Sequence, residues 1–144
     1  MKKDLSGRLA LDTSALIELV LSTTSGLKLR EALKAETVET STTTLNITEL
    51  RYVLCRKLGS QKANDIVDKL LASGYITVED ISPLMLEASM HKCKRAISLC
   101  DCFTLALADK SSSAATFARK EKELITEMQK KPFDLKIIFL EDYV

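Results

Sequence analysis

The stretch Arg8-Leu9-Ala10-Leu11-Asp12-Thr13-Ser14-Ala15-Leu16-Ile17 decides how this chain is built. Its first four residues read as a short buried strand that ends on Asp12, and from Ser14 to Leu21 the pattern turns helical. A strand that feeds directly into a helix is the repeating unit of an α/β fold. The rest of the chain continues the alternation. Ser25 to about Ala35 is amphipathic, with Leu27, Leu29 and Leu33 as its apolar contacts, and Val38 to Thr43 has the β-branched content of a strand. Ile47, Leu50, Leu54 and Leu58 recur at helical spacing up to Gly59.

Gln61 to Ala72 predicts a helix with Ile66, Leu70 and Leu71 inward, Gly74 ends it, and Tyr75 to Val78 reads as a strand. Pro83 opens a helix from about Ser82 to Arg95. Ser98 to Ala108 is helical and strongly apolar, as a central helix would be. After a serine loop at 111–113 come a small strand from Ala114 to Ala118, a charged helix from Lys120 to Lys130 ended by Pro132, and a last strand from Lys136 to Leu140. This order predicts a three-layer α/β/α sandwich around a mainly parallel sheet of four to five strands, formed by residues 1–144 as one domain.

The bulk numbers agree with a single globular unit. The chain has 144 residues, 46% hydrophobic and 28% charged, enough to bury a core without disulfides. The net charge of +1 provides no global field for polyanions, so nucleic-acid binding would have to use local basic patches. The apolar run from Leu9 to Leu21 is broken by Asp12 and Glu18, which excludes a signal peptide or membrane span there. A cytosolic protein without a membrane partner is expected, with Cys55, Cys93, Cys100 and Cys102 as free thiols.

In open α/β sheets, sites form outside the carboxyl ends of the strands. Asp12 falls at such an end, although a helix N-cap explains it equally well. Glu49 lies beside the apolar face of its helix, where Asn46 as N-cap with Glu49 in a capping box is the plain alternative. Asp101 could pair in the same way with Ser98, yet it enters the apolar run from Cys102 to Ala108, where an unpaired carboxylate is costly. Glu121 follows the strand ending at Ala118, inside a charged segment that reads most simply as a solvated face. If these acids converge, their hard oxygens suit Mg2+ or Mn2+, and the ion offsets their mutual repulsion. Such a centre can activate water and stabilise phosphoryl charge.

Leu11-Asp12-Thr13-Ser14-Ala15-Leu16-Ile17, then Thr48-Glu49-Leu50, then Ser98-Leu99-Cys100-Asp101 before an apolar helix, together resemble the PIN domain, a family that includes the VapC-type toxin nucleases. The resemblance covers nearly the whole chain. It implies an Mg2+- or Mn2+-dependent endoribonuclease, with Asp12, Glu49 and Asp101 as metal-binding and catalytic acids. It also implies a role for a hydroxyl at Thr13 or Ser14 in orienting them, and matches Ser98 to a hydroxyl that often precedes the third acid. The fourth acid departs from the family's Thr-x-Asp-like pattern: Glu121 is the best match and Glu123 the second. RNA as substrate, an antitoxin protein as partner and a homodimer follow from the same resemblance. A groove near Leu16, Glu18, Val20 and Leu21 would take the antitoxin if that helix is partly exposed. The competing reading is a PIN-like RNA- or protein-binding module with little catalysis, motivated by the irregular fourth acid. A phospho-acceptor domain using Asp12 is disfavoured because no Asp-x-Asp is present there.

Other motifs carry little. Cys100 and Cys102 point about 200° apart on a helix, so they form no zinc half-site. His91 is the only histidine and has no nucleophile motif to serve, which leaves it a surface or partly buried helix position. No phosphate-binding glycine loop occurs. Arg51 and Arg119 are near enough in sequence to the acids to meet substrate phosphates. With 5% aromatics and no tryptophan, backbone-phosphate contacts rather than an aromatic base-stacking platform are expected to dominate binding.

Overall fold

The computed structural model describes residues 3–144. Five strands form one sheet: β1 (Gly7–Leu11), β2 (Val38–Thr43), β3 (Ile76–Glu79), β4 (Ala114–Phe117) and β5 (Ile137–Phe139). All adjacent pairs are parallel, in the order β3-β2-β1-β4-β5. The direction of strand addition reverses at β1, so the crevice above its carboxyl end is the topological switch point of the sheet.

Strand residues alternate between two cores, as the two-residue period of a pleated strand requires. Leu9 and Leu11 of β1 enter one core and Ala10 the other. Ala114 and Ile138 side with the first, Ala115, Phe117 and Phe139 with the second. The first core is covered by α1 (Thr13–Val20), α2 (Thr24–Lys34), α3 (Thr44–Leu58) and α4 (Ser60–Ala72). The second is covered by α5 (Met85–Lys94), α6 (Leu99–Ser111) and α7 (Lys122–Lys130). Helices on both faces explain why the strands carry apolar residues throughout.

Helix starts and stops follow local chemistry. Thr23 caps α2 by accepting from Gly26 N–H at 3.1 Å, and Ser98 caps α6 by accepting from Asp101 N–H at 3.1 Å. Gly59, at φ +88°, is the joint between α3 and α4, in a backbone region that side chains disfavour. Gly26 lets α2 cross close to α1: a Cβ there would lie 1.8 Å from the carbonyl oxygen of Glu18.

Several expected contacts are different. Leu27 is exposed, because it lies two positions from Leu29 and the buried stripe of α2 is Gly26, Leu29, Ala32 and Leu33. Leu71 is exposed because α4 packs through Ala63 and Val67, with Ile66 and Leu70 half-buried. Leu58 is exposed at the last turn of α3, beyond the core. Helix α6 extends through Ser111, so the serine loop is a turn at Ser112, in the left-handed conformation. Asn46 is not the cap of α3. The helix starts directly off β2, Thr43 accepts from Asn46 N–H at 3.1 Å, and the Asn46 side chain is fully buried. Glu49 therefore has no capping-box role.

No helix among the described residues is long and apolar enough to cross a membrane. All four cysteines are free thiols. His91 is partly buried beside Glu87, at 3.6 Å, and its ring leans on Phe133.

Candidate metal centre

β1 delivers Asp12 into the crevice, where it is 5% exposed. Its place at the strand end and its N-cap role coexist. Oδ2 accepts from Ser14 N–H at 3.0 Å, the N-cap bond of α1, and from Ser14 Oγ at 2.8 Å. Oδ1 accepts from Thr104 Oγ1 of α6 at 3.1 Å. Ser14 Oγ in turn accepts from the N–H of Ala118 at 3.0 Å, which ties the loop after β4 to the first acid.

Behind Asp12 lies a buried polar cluster centred on Asn46. Asn46 Nδ2 is 3.1 Å from Thr13 Oγ1, 3.2 Å from Thr104 Oγ1 and 3.3 Å from Cys100 Sγ. Its Oδ1 accepts from Thr43 Oγ1 at 2.6 Å. One amide thus joins the end of β2, the start of α1 and the first turns of α6. A buried amide with its hydrogen bonds satisfied rigidifies what surrounds it.

The other predicted acids arrive at the same cleft, which encloses about 430 Å³. Glu49 comes from the second turn of α3, half-buried. Asp101 comes from the first turn of α6, and Glu121 from the residue that precedes α7, with Glu123 beside it. All five acids line the cleft, together with Thr13, Ser14 and Ser98, while Ile17 and Val53 form an apolar side. The two apolar residues were not singled out in the sequence. Their positions, five after Asp12 and four after Glu49, are the available signal.

The carboxylates feel one another. Burial is the main reason that Asp12 titrates above its ordinary range, with hydrogen bonds from Ser14 and Thr104 opposing and the charge of Glu49 adding. Burial, then the charge of Asp12, pushes Asp101 up to about 8. Glu121 is raised by burial and by the charges of Asp12 and Glu123. The Cys100 thiol is pushed up by burial and stays protonated, as an inert part of the Asn46 cluster.

An all-oxygen set of carboxylates that resist ionising together fits a hard divalent cation, which would lower the cost of their charge. Among the described residues, no three acidic, cysteine or histidine groups yet stand close enough to close on one ion. Binding would therefore require inward rotation of the more exposed members, Glu49, Glu121 and Glu123, toward the fixed Asp12.

The two arginines expected to meet phosphates are held elsewhere. Arg51 turns to α4, 2.8 Å from Asn64 Oδ1 and 3.4 Å from Asp68 Oδ1. Arg119 donates to Glu18 Oε1 at 2.9 Å. The groove expected along α1 is shifted as well. Leu16 and Glu18 are buried and Leu21 does not line it. A cleft of about 320 Å³ instead opens between α1, α2 and α4, lined by Leu19, Val20, Leu33, Ile66, Leu70 and Tyr75, with Arg30, Lys34 and Lys69 at its edge.

Comparison with known proteins agrees with this architecture. No curated protein sequence matches the chain. Among solved structures, VapBC2 from Rickettsia felis bound to a promoter DNA fragment is similar with TM-score 0.70 at 12% identity, covering 92% of this chain and 98% of that one. VapC20 from Mycobacterium tuberculosis, a sarcin-ricin loop cleaving toxin, gives TM-score 0.63 at 18% identity over 82% and 93%. A toxin-antitoxin complex from Klebsiella pneumoniae gives 0.63 at 14% over 92% and 97%. The sequence profile of the PIN domain matches residues 9–131, and with that span the chain belongs to the PIN domain family.

Proposed function

We propose that this PIN domain is a divalent-metal-dependent endoribonuclease that hydrolyses RNA phosphodiester bonds, and that it is the toxin of a toxin–antitoxin pair. One observation carries the reading. Asp12, Glu49, Asp101 and Glu121, spread over the whole chain, line a single cleft at the switch point of the sheet. They would hold Mg2+ or Mn2+, which when bound acidifies a water and offsets phosphoryl charge. The chain's own groups set the geometry. Ser14 and Thr104 fix the two oxygens of Asp12, and Ser98 fixes the backbone from which Asp101 projects. Ile17 and Val53 give the cleft one apolar side.

The toxin reading draws on likeness to proteins that are themselves named as toxins or toxin–antitoxin complexes. The cleft between α1, α2 and α4 would receive the antitoxin: its apolar walls and basic edge suit an amphipathic segment with acidic flanks. A homodimer in the cytosol is the expected working form, which light scattering on the purified protein would test.

The decisive experiment incubates purified protein with a fluorophore–quencher RNA panel in Mn2+, Mg2+ or EDTA, beside Asp12→Asn and Asp101→Asn. Cleavage that needs metal and vanishes in both variants is expected. Wild-type rates in either variant would overturn the assignment of the acids. A folded protein that cleaves nothing in any metal would leave the binding-module reading in its place.

A further inference from the structure

Helix α3 carries a second chemical surface beyond Glu49. Glu49, Tyr52, Val53 and Arg56 stand at i, i+3, i+4 and i+7, which places them along one face of the helix. Glu49 and Val53 belong to the wall of the acidic cleft, so Tyr52 and Arg56 continue that wall outward. Tyr52 is 46% exposed, and the Arg56 guanidinium lies 5.0 Å from the centre of its ring. Arg51 and Arg119 are both committed to carboxylates. Among the described residues, Arg56 has no carboxylate within ion-pair distance, and its neighbour is the tyrosine face instead.

A cleft lined by five acids repels the polyanion that it would cleave. A strand needs an attractive foothold beside it, close enough to guide the scissile phosphate and far enough not to neutralise the acids. Arg56 stands seven positions after Glu49, about 10 Å along the axis. A cation at that distance meets a neighbouring phosphate, not the reacting one. An exposed aromatic ring between the two offers a stacking face, which every nucleobase can use.

We propose that the Tyr52–Arg56 face of α3 is a subsite for single-stranded RNA, in which a base next to the scissile phosphate stacks on Tyr52 and a flanking phosphate binds Arg56. The inference rests on the ribonuclease reading. It assigns to α3 both a cleft acid and the groove that feeds it. Stacking of this kind tolerates any base, so the subsite sets affinity and the register of the cut more than base identity.

The test compares wild type, Tyr52→Ala, Tyr52→Phe and Arg56→Gln. Arg8→Gln is the charge control, since Arg8 lies at the opposite end of β1 and is paired with Glu39. Steady-state cleavage of the RNA panel in Mn2+ gives KM and kcat. Anisotropy with a 2′-O-methyl single strand gives Kd at two salt concentrations. Tyr52→Ala is expected to raise KM and Kd about tenfold, with the Phe variant restoring most of the loss. Arg56→Gln is expected to weaken binding several-fold and to lower the salt slope by about one counterion. Arg8→Gln should match wild type. Cleaving wild-type protein whose Tyr52→Ala and Arg56→Gln variants keep KM, Kd and salt slope would overturn the subsite while the nuclease reading stands. Wild-type protein that neither binds nor cleaves any RNA would sink both.

Discussion

Replacing Asp101 with asparagine should make the metal-free protein more stable, and more so as pH rises. In the folded chain, burial and the charge of Asp12 push this carboxyl up to about 8, against an ordinary value of 3.8. The folded state therefore holds a proton that the unfolded chain has already released. Below the unfolded value both states are protonated and the group contributes nothing. Between that value and about 8 the folded state becomes progressively less stable, and above it the cost is constant. The displacement sets a ceiling of about 5 to 6 kcal/mol at about 1.4 kcal/mol per pH unit. Partial solvent access and relaxation of the neighbouring acids reduce that to about 2 to 4 kcal/mol. Asparagine keeps the shape and removes the charge. At about 2–4 °C per kcal/mol, the variant should melt roughly 4–16 °C above wild type at pH 8 in EDTA, with the gap closing toward pH 4. His91, whose pKa burial lowers, tilts the profiles of both proteins in the opposite direction, and the difference between them cancels it. Excess Mn2+ should raise the wild-type melting temperature more than that of the variant, and reverse or erase the gap. A variant that melts below wild type at pH 8 in EDTA, or a gap independent of pH, would refute the view that these carboxylates are crowded.

Asn46→Ala removes the amide that joins β2, α1 and α6 and leaves several buried hydroxyls short of a partner. It should cost about 2–4 kcal/mol in urea unfolding. Thr104→Val should cost less in stability than Asn46→Ala but weaken Mn2+ binding by calorimetry, because it frees one oxygen of Asp12. Gly26→Ala places a methyl against the Glu18 carbonyl and should cost about 1–3 kcal/mol by separating α1 from α2, read as a lower urea midpoint.

The order of strands and helices was legible because apolar runs and turn residues alternate cleanly, and nearly every expected element has its counterpart within a few residues. The acids were legible for a simpler reason. A polar residue at the carboxyl end of a strand or the first turn of a helix has few places to point. What the sequence hid depends on contacts distant along the chain. Arg119 meets Glu18 across 101 positions, and Arg51 meets Asp68 on the next helix, so neither direction could be read locally. Asn46 looked like a helix cap because Thr43, the last residue of β2, was not recognisable as serving both elements. Leu27, Leu58 and Leu71 fit a helical pattern, yet the pattern does not say which edge of an apolar stripe meets a neighbour.

The central strand of the sheet also governs when the acidic cleft can form during synthesis. β1 is made about a hundred residues before its partner β4, with Leu9 opposite Ala114. The hydrogen bond from Ala118 to Ser14 closes after that. A nascent chain thus carries Asp12 without Asp101 and Glu121 until those later segments are made, and closing so long a loop is entropically costly. The acidic cleft comes into being only once β4 and the loop after it have docked beside β1.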